Sequence, residues 1–196
     1  AGIKTGQPDG LSMGFVRLSS GRTSVIVDAA VPPRGSASRS GHASTLAFEL
    51  TSGRRPLVVN CGSGASFGAE WRRAGRATPS HSTVVLDGYS SSRLGDANRA
   101  SSLETLIDAP KHVPIEVSQA PDGLWFQGRH DGFCNIHGLT HARTLELTFD
   151  GRGLAGEDML LAMEDGQKRQ FDRSKDDVRI SGVPFDVRFH LHPEVD

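Results

Sequence analysis

Two cysteines in 196 residues are too few for a disulfide framework. Cys61 and Cys134 both sit in apolar-flanked contexts, where a buried free thiol is the ordinary state, and no bridge between them is expected. The redox compartment stays open on this ground. No run approaches the roughly 18 consecutive apolar residues of a membrane-spanning helix, so a membrane is not an expected partner. The N-terminus, Ala-Gly-Ile-Lys, lacks the basic, apolar and small-residue succession of a secretory signal. A chain that starts at Ala1 instead of Met is expected to be processed or cut from a longer protein. Charge of one sign is missing too. Lys and Arg total 22 against 23 Asp and Glu, a formal net charge of -1, and no long-range field draws nucleic acid. A highly sulfated partner would need a local Arg cluster.

Helical signal is also scarce. Gly and Ser interrupt nearly every window long enough for a helix, leaving a turn or two around 69–74. What the chain has instead is a succession of short β-branched or apolar runs. They are separated by Gly, Pro, Asp and Ser, as in antiparallel strands and their turns. Strands are expected at 14–18, 24–28, 44–50, 56–61, 82–86, 115–119, 124–130, 144–149, 158–163 and 185–191. In the run Thr144 to Phe149, alternation puts Leu145, Leu147 and Phe149 on one face and Thr144, Glu146 and Thr148 on the other. Asp87-Gly88, Asp122-Gly123 and Asp150-Gly151 supply the positive φ of tight hairpins. The Pro- and Ser-rich stretch 31–40 reads as a surface loop. With no repeat and no linker, residues 1–196 are expected to form a single all-β domain, an antiparallel β-sandwich of many short strands.

Chemistry-bearing residues gather in three stretches: "SGHASTLAFEL" with His42, "RRPLVVNCGSG" with Asn60, and "RATPSHSTVVLDG" with Arg76 and His81. These blocks, together with "GLTHARTLELTFDGRGLAGEDMLL", span 39–163 and resemble heparinase II/III-like polysaccharide lyases. The resemblance implies an antiparallel β-sandwich preceded in the whole protein by an (α/α) toroid of helices, which nothing in this chain could supply. It further implies β-elimination on uronic-acid polysaccharides of the glycosaminoglycan or alginate kind. The saccharide groove would lie between sandwich and toroid, with a Tyr base and a His acid mainly on the helical part. A bacterial cell envelope or periplasm is the location it implies.

In metal-bearing members a His-x-His-x-Asp segment gives a catalytic His and a zinc-ligand His; here Ser40, His42 and Ser44 stand in those places. The other two ligands, an Asp and a His, align with Asn60 and His81. The resemblance therefore makes His42, Asn60 and His81 the candidate zinc set, and Ser40 a candidate substrate contact. An Asn carbonyl brings no charge to offset Zn²⁺ and is the weak member of that set. Three readings stay open for His42 and His81: metal ligands, direct saccharide contacts with His81 as a catalytic candidate, or strand-start histidines satisfied by the backbone.

Arg76 and Trp71 offer a guanidinium for a uronate carboxylate and an aromatic face for a sugar ring, although Arg72, Arg73 and Arg76 also read as a solvated run. Gly64-Ala65-Ser66-Phe67-Gly68 matches a nucleophile elbow between a strand-like and a helix-like stretch, yet the chain lacks the parallel sheet that such a Ser needs. Cys134, His137 and His141 resemble half a zinc site with no second half, and His190 and His192 read as one face of a solvated strand end. Tyr89 is the sole tyrosine, and only nearness in sequence relates it to His81.

Two functions are expected from these residues. One is the C-terminal wall of a lyase, partnered by an acidic polysaccharide and by the missing helical domain. The alternative is a non-catalytic carbohydrate-binding or packing module that has lost the metal and the catalytic His, as Ser40, Ser44 and Asn60 suggest.

Overall fold

A computed structural model describes residues 11–96, 104–177 and 182–195. In chain order the strands are Leu11–Ser12 (β1), Phe15–Ser20 (β2), Thr23–Asp28 (β3), Phe48–Ser52 (β4) and Arg55–Val59 (β5), followed by the helix Ala69–Arg76 (α1). Next come Val84–Leu86 (β6), Arg93–Leu94 (β7), Leu106–Asp108 (β8), Ile115–Gln119 (β9), Gly123–Phe133 (β10) and the short helix Cys134–His137 (α2). The chain ends with Leu139–Thr148 (β11), Leu154–Leu161 (β12), the helix Asp165–Asp177 (α3), Phe185–Val187 (β13) and His190–Leu191 (β14).

A six-stranded sheet in the order β1-β2-β3-β4-β5-β14 faces a four-stranded sheet in the order β12-β11-β10-β9. Two small ribbons pair β13 with β6 and β7 with β8. The expected sandwich is the fold observed. Period-two alternation drives the packing: Val16 and Leu18 of β2 and Val25 and Val27 of β3 point inward against Phe126 of β10 and Leu145 and Leu147 of β11. Each such side chain contributes about 1.5–3 kcal/mol on burial. Phe149, expected on the same face, lies past the end of β11 and is exposed.

The Asp150-Gly151 turn sits on the β2–β3 turn. There Thr23 Oγ1 donates to Gly151 O at 2.6 Å, and Gly151 holds φ +67° where a Cβ would clash with the Ser20 carbonyl oxygen. A side chain fits neither that backbone nor that space.

Several local expectations differ from the structure, among them the strands expected at 144–149 and 158–163, which span Leu139–Thr148 and Leu154–Leu161. The strand expected at 44–50 starts only at Phe48, because 44–47 form a turn in which Ala47 N–H donates to Ser44 O and Leu46 takes φ +63°. The run 185–191 splits, β13 pairing with β6 and β14 with β5. Cys61 lies beyond the end of β5 and is exposed, not buried; both cysteines are free. Helix α3 went unanticipated because its sequence is polar all round: Phe171 packs on the cluster of Leu86, Phe133 and Leu139, while Gln170 and Ser174 dock it by donating to Ile136 O.

Between the sheets the core turns polar. Arg143, 2% exposed on β11, donates from Nε and Nη2 to the two oxygens of Asp158 on β12, each at 2.8 Å. Its Nη1 donates to Leu46 O at 2.7 Å and Ser82 O at 2.8 Å. Arg143→Ala is expected to lower the unfolding free energy by roughly 3–5 kcal/mol, because it leaves the carbonyls of Leu46 and Ser82 without that donor and the buried Asp158 carboxylate without its cation, held by His141 alone. Urea denaturation reads this as a shifted midpoint at unchanged slope. A loss below about 1 kcal/mol would show that the hub is dispensable.

Candidate functional site

The outer face of the six-stranded sheet carries the site. Strand alternation turns Phe15, Ile26, Asp28 and Glu49 away from the core, and the loops 31–44 and 60–62 rise around them. They enclose an open cavity of about 720 Å³ whose lining includes Ser40, His42, Asn60 and His81. The structure thus brings together four residues that the sequence scatters over 42 positions. Asp28, Ser44 and Glu49 complete the polar floor, and Met13, Pro32 and Pro33 form an apolar rim.

The loops are held by backbone capture. The 3₁₀ turn Thr78–Ser80 delivers His81 in extended conformation. Thr78 Oγ1 donates to Ala43 O at 2.7 Å, and Ala43 N–H donates to Arg76 O at 2.8 Å, so the His42 and His81 loops are bound to each other. Tautomers follow from the partners. Ala77 O can only accept, so His81 Nδ1 carries the proton and donates at 2.9 Å. His81 Nε2 is then a lone pair, which takes the Nδ1 proton of His42 at 2.9 Å. That leaves Nε2 of His42 as an acceptor.

Burial, and next the neighbouring His42, push the His81 pKa down to about 4. Burial, with Arg76 and Arg72 behind it, lowers that of His42. Both rings are neutral near pH 7. Burial raises the Asp28 carboxyl against the opposing hydrogen bonds from Ser44 and Ala30. Sequence reading missed Asp28 and Glu49 as site residues. The signal was available, since alternation sets them opposite Val27 and Phe48.

Arg76 and Trp71 are not brought to this cavity. Arg76 is 1% exposed, and Nε, Nη1 and Nη2 donate to the carbonyls of Gly41, Glu104 and Ser38 at 2.8, 3.0 and 2.8 Å. Neither the solvated run nor a free uronate clamp describes it: the guanidinium is a buried brace for the loop that holds His42. Trp71 is 64% exposed on α1, edge-on to Phe67. Arg72 donates to Arg39 O, and Arg73 pairs with Glu104. Among the described residues no Lys or Arg lines the cavity.

In this structure the residues of the candidate zinc set are engaged with protein partners. His42 and His81 are bonded to one another, and Asn60 Oδ1 accepts from Ser82 N–H at 2.9 Å while its Nδ2 donates to Glu49 at 3.2 Å. Among the described residues no three His, Cys, Asp or Glu side chains converge as a ligand group.

The remaining motifs lie elsewhere. Ser66 is exposed in the 3₁₀ turn before α1, with an antiparallel sheet behind it. Tyr89 packs edge-on against His137, away from His81. His141 belongs to a buried chain that the sequence did not reveal. Gly132 N–H donates to His130 Nδ1, His130 Nε2 to His141 Nδ1, and His141 Nε2 to Asp158 at 2.7 Å. Burial lowers the pKa of both histidines. Burial works to raise that of Asp158, but the hydrogen bonds from His141 and Arg143 outweigh it and hold the carboxyl well below its usual range.

The model of heparinase II/III-like C-terminal domains matches residues 3–196. FtsZ-localized protein C of Caulobacter vibrioides is 33% identical over 189 residues, which is 92% of this chain and 30% of that protein. A solved heparinase III superposes with a TM-score of 0.52 at 22% identity, over 76% of this chain and 21% of the heparinase chain. That likeness shows the fold. The chain spans under a third of the length of either relative.

Five neutral histidines, His42, His81, His130, His137 and His141, make the fold sensitive to acid. A group whose pKa is lower in the folded than in the unfolded chain binds its proton more weakly when folded, so its contribution is complete above the unfolded value and is lost as pH falls. For His81 the window runs from 6.5 down to about 4, and the loss amounts to about 3 kcal/mol; His42, His130, His137 and His141 act in the same direction. The urea midpoint is expected to be flat above pH 7 and to drop between pH 6.5 and 4, with a shallower drop in His81→Gln. A midpoint that holds steady to pH 4 would rule this out.

Proposed function

This chain belongs to the family of heparinase II/III-like C-terminal domains, and from that premise we propose that it forms one wall of a saccharide groove in a longer protein, as a binding and packing module and not as the seat of a lyase reaction. The observation that carries the reading is the cavity around His42 and His81, which among the described residues has no Lys or Arg in its lining and whose His42, His81 and Asn60 are engaged with protein partners. β-Elimination beside a uronate requires the carboxylate to be neutralised, so that the carbanion formed at C5 is stabilised. On this wall the nearest guanidinium, Arg76, is committed to three carbonyls. Asp28 and Glu49 add carboxyl groups where a uronate would need the opposite charge.

What the wall does offer suits binding. The acceptor Nε2 of His42, the hydroxyl of Ser40 and the carboxyls of Asp28 and Glu49 are hydrogen-bonding groups for sugar hydroxyls, and Met13, Phe15 and Pro32 are apolar surface for ring faces. The relative from Caulobacter vibrioides is named for localisation with FtsZ, not for an activity. We extend that location to the longer protein that carries this chain; a fluorescent fusion that stays diffuse where FtsZ forms a ring removes the extension.

A second reading has an observation of its own. His42 and His81 form an oriented imidazole pair with one open lone pair in the cavity, an arrangement that a helical domain carrying the base could complete into a lyase. The deciding measurement is absorbance of the unsaturated product when the longer protein is incubated with uronate polymers, alongside binding of the same oligosaccharides. Binding without new absorbance, weakened by His42→Ala, is the expected result. Turnover abolished by His42→Ala or His81→Ala establishes the lyase reading.

Metal content separates the readings again. Zinc would have to open the His42–His81 bond and draw Asn60 from Ser82, so elemental analysis after dialysis against zinc is expected to give well under one metal per chain. One zinc per chain, lost in the His42→Ala, His81→Ala double variant, would return the site to the metal-bearing kind.

A further inference from the structure

We propose that Cys61 is a modification site, a nucleophilic thiol activated by His190 that forms mixed disulfides with small disulfide compounds. Cys61 is exposed, and its Sγ lies 3.6 Å from Nδ1 of His190. The ring is not there by chance of rotation. Its Nε2 is 2.9 Å from Pro79 O, a carbonyl that can only accept, so Nε2 bears the proton and Nδ1 presents its lone pair to the thiol. The backbone fixes both partners. His190 N–H donates to Ser82 Oγ at 3.1 Å and its strand pairs with Val59, while Cys61 N–H donates to Ser80 O at 3.0 Å. A thiol, an acceptor imidazole and a carbonyl that orients the imidazole are the parts of an activated cysteine nucleophile.

The chemistry balances with a low-molecular-weight disulfide as oxidant. The Sγ proton passes to His190 Nδ1, and the thiolate attacks one sulfur of the reagent. The reagent's S–S bond breaks as the Cys61 S–S bond forms, and the released thiolate takes a proton from His190 or water. One thiol is oxidised to the level of a disulfide, and half of the reagent is reduced to a thiol.

Cys134 supplies the internal contrast. Its Sγ donates to Leu139 O at 3.4 Å and receives the Gln167 amide at 3.1 Å, and burial pushes its pKa up, so it keeps its proton. The pair also lies apart from the cavity described above: Asn60 and Gly62 line that cavity, and Cys61 between them does not.

The test is the rate of reaction with 5,5′-dithiobis(2-nitrobenzoate) at pH 7 on the purified, folded chain, with mass spectrometry of the adduct. One fast equivalent is expected at Cys61, absent in Cys61→Ser and unchanged in Cys134→Ser. His190→Gln, with its melting transition checked, is expected to slow that equivalent about tenfold. Should the variant fail to fold, the folded wild-type chain is compared with the same chain unfolded in urea, and a Cys61 rate no higher in the folded chain overturns the proposal. A fast thiol at Cys134, equal rates at the two cysteines, or an undiminished rate in folded His190→Gln each overturns the proposal.

Discussion

The two sheets depend on one guanidinium. Arg143 stands where the inward face of β11 passes from Leu145 and Leu147 to His141, and it ties together three segments that share no strand pairing: the turn at Leu46, the loop at Ser82 and the strand at Asp158. Leu46 is held in a left-handed conformation that costs a branched side chain roughly a kcal/mol or more, and Arg143 fixes its carbonyl there. A buried ion pair is weak evidence of net stability, since desolvating both charges offsets most of their attraction. Its value here is positional. Four donors meet four acceptors, so the loop behind the cavity has one place to be.

The same device recurs one layer out. Arg76 gathers the carbonyls of Ser38, Gly41 and Glu104, and Thr78 gathers Ala43 and Ser91, so the loops that present His42 and His81 are set by side chain to backbone bonds and not by a sheet. A β-sandwich needs this arrangement wherever the chain leaves its strands, because a buried carbonyl without a donor costs about as much as a lost hydrogen bond. Arginine suits the task because its guanidinium offers five donors in a fixed plane.

This division explains what could be read from the sequence. Elements governed by alternation were legible: β2, β3 and the second half of β11 follow runs in which every second residue is apolar, and Asp87-Gly88 and Asp150-Gly151 are the turns they read as. The co-location of Ser40, His42, Asn60 and His81 was legible through family blocks alone, since no periodic pattern links them. What stayed hidden depends on long-range capture. Arg76 reads as a surface arginine until the three carbonyls around it are seen, and the turn at Leu46 reads as strand because β-branched and apolar neighbours mask a backbone held by a residue 97 positions away. Helix α3 escaped because it docks through Gln170, Ser174 and one phenylalanine, which leaves almost no apolar period.

An enzyme site differs from a packed polar cavity in keeping some bonding capacity unspent for the substrate and its transition state. By that criterion the cavity is nearly closed on itself. His81 is engaged at both nitrogens, Asn60 at its oxygen and its amide, and Asp28 by Ser44 and the Ala30 amide, while Arg76 behind the wall is spent on three carbonyls. Asn60 is neutral and brings no charge that a cation would have to balance, and the groups around it satisfy one another. Such a surface gains stability from the bonds that a catalytic one would hold in reserve. It still turns His42 Nε2 and the carboxyl groups of Asp28 and Glu49 toward the cavity, and these are the groups whose bonding capacity is least spent.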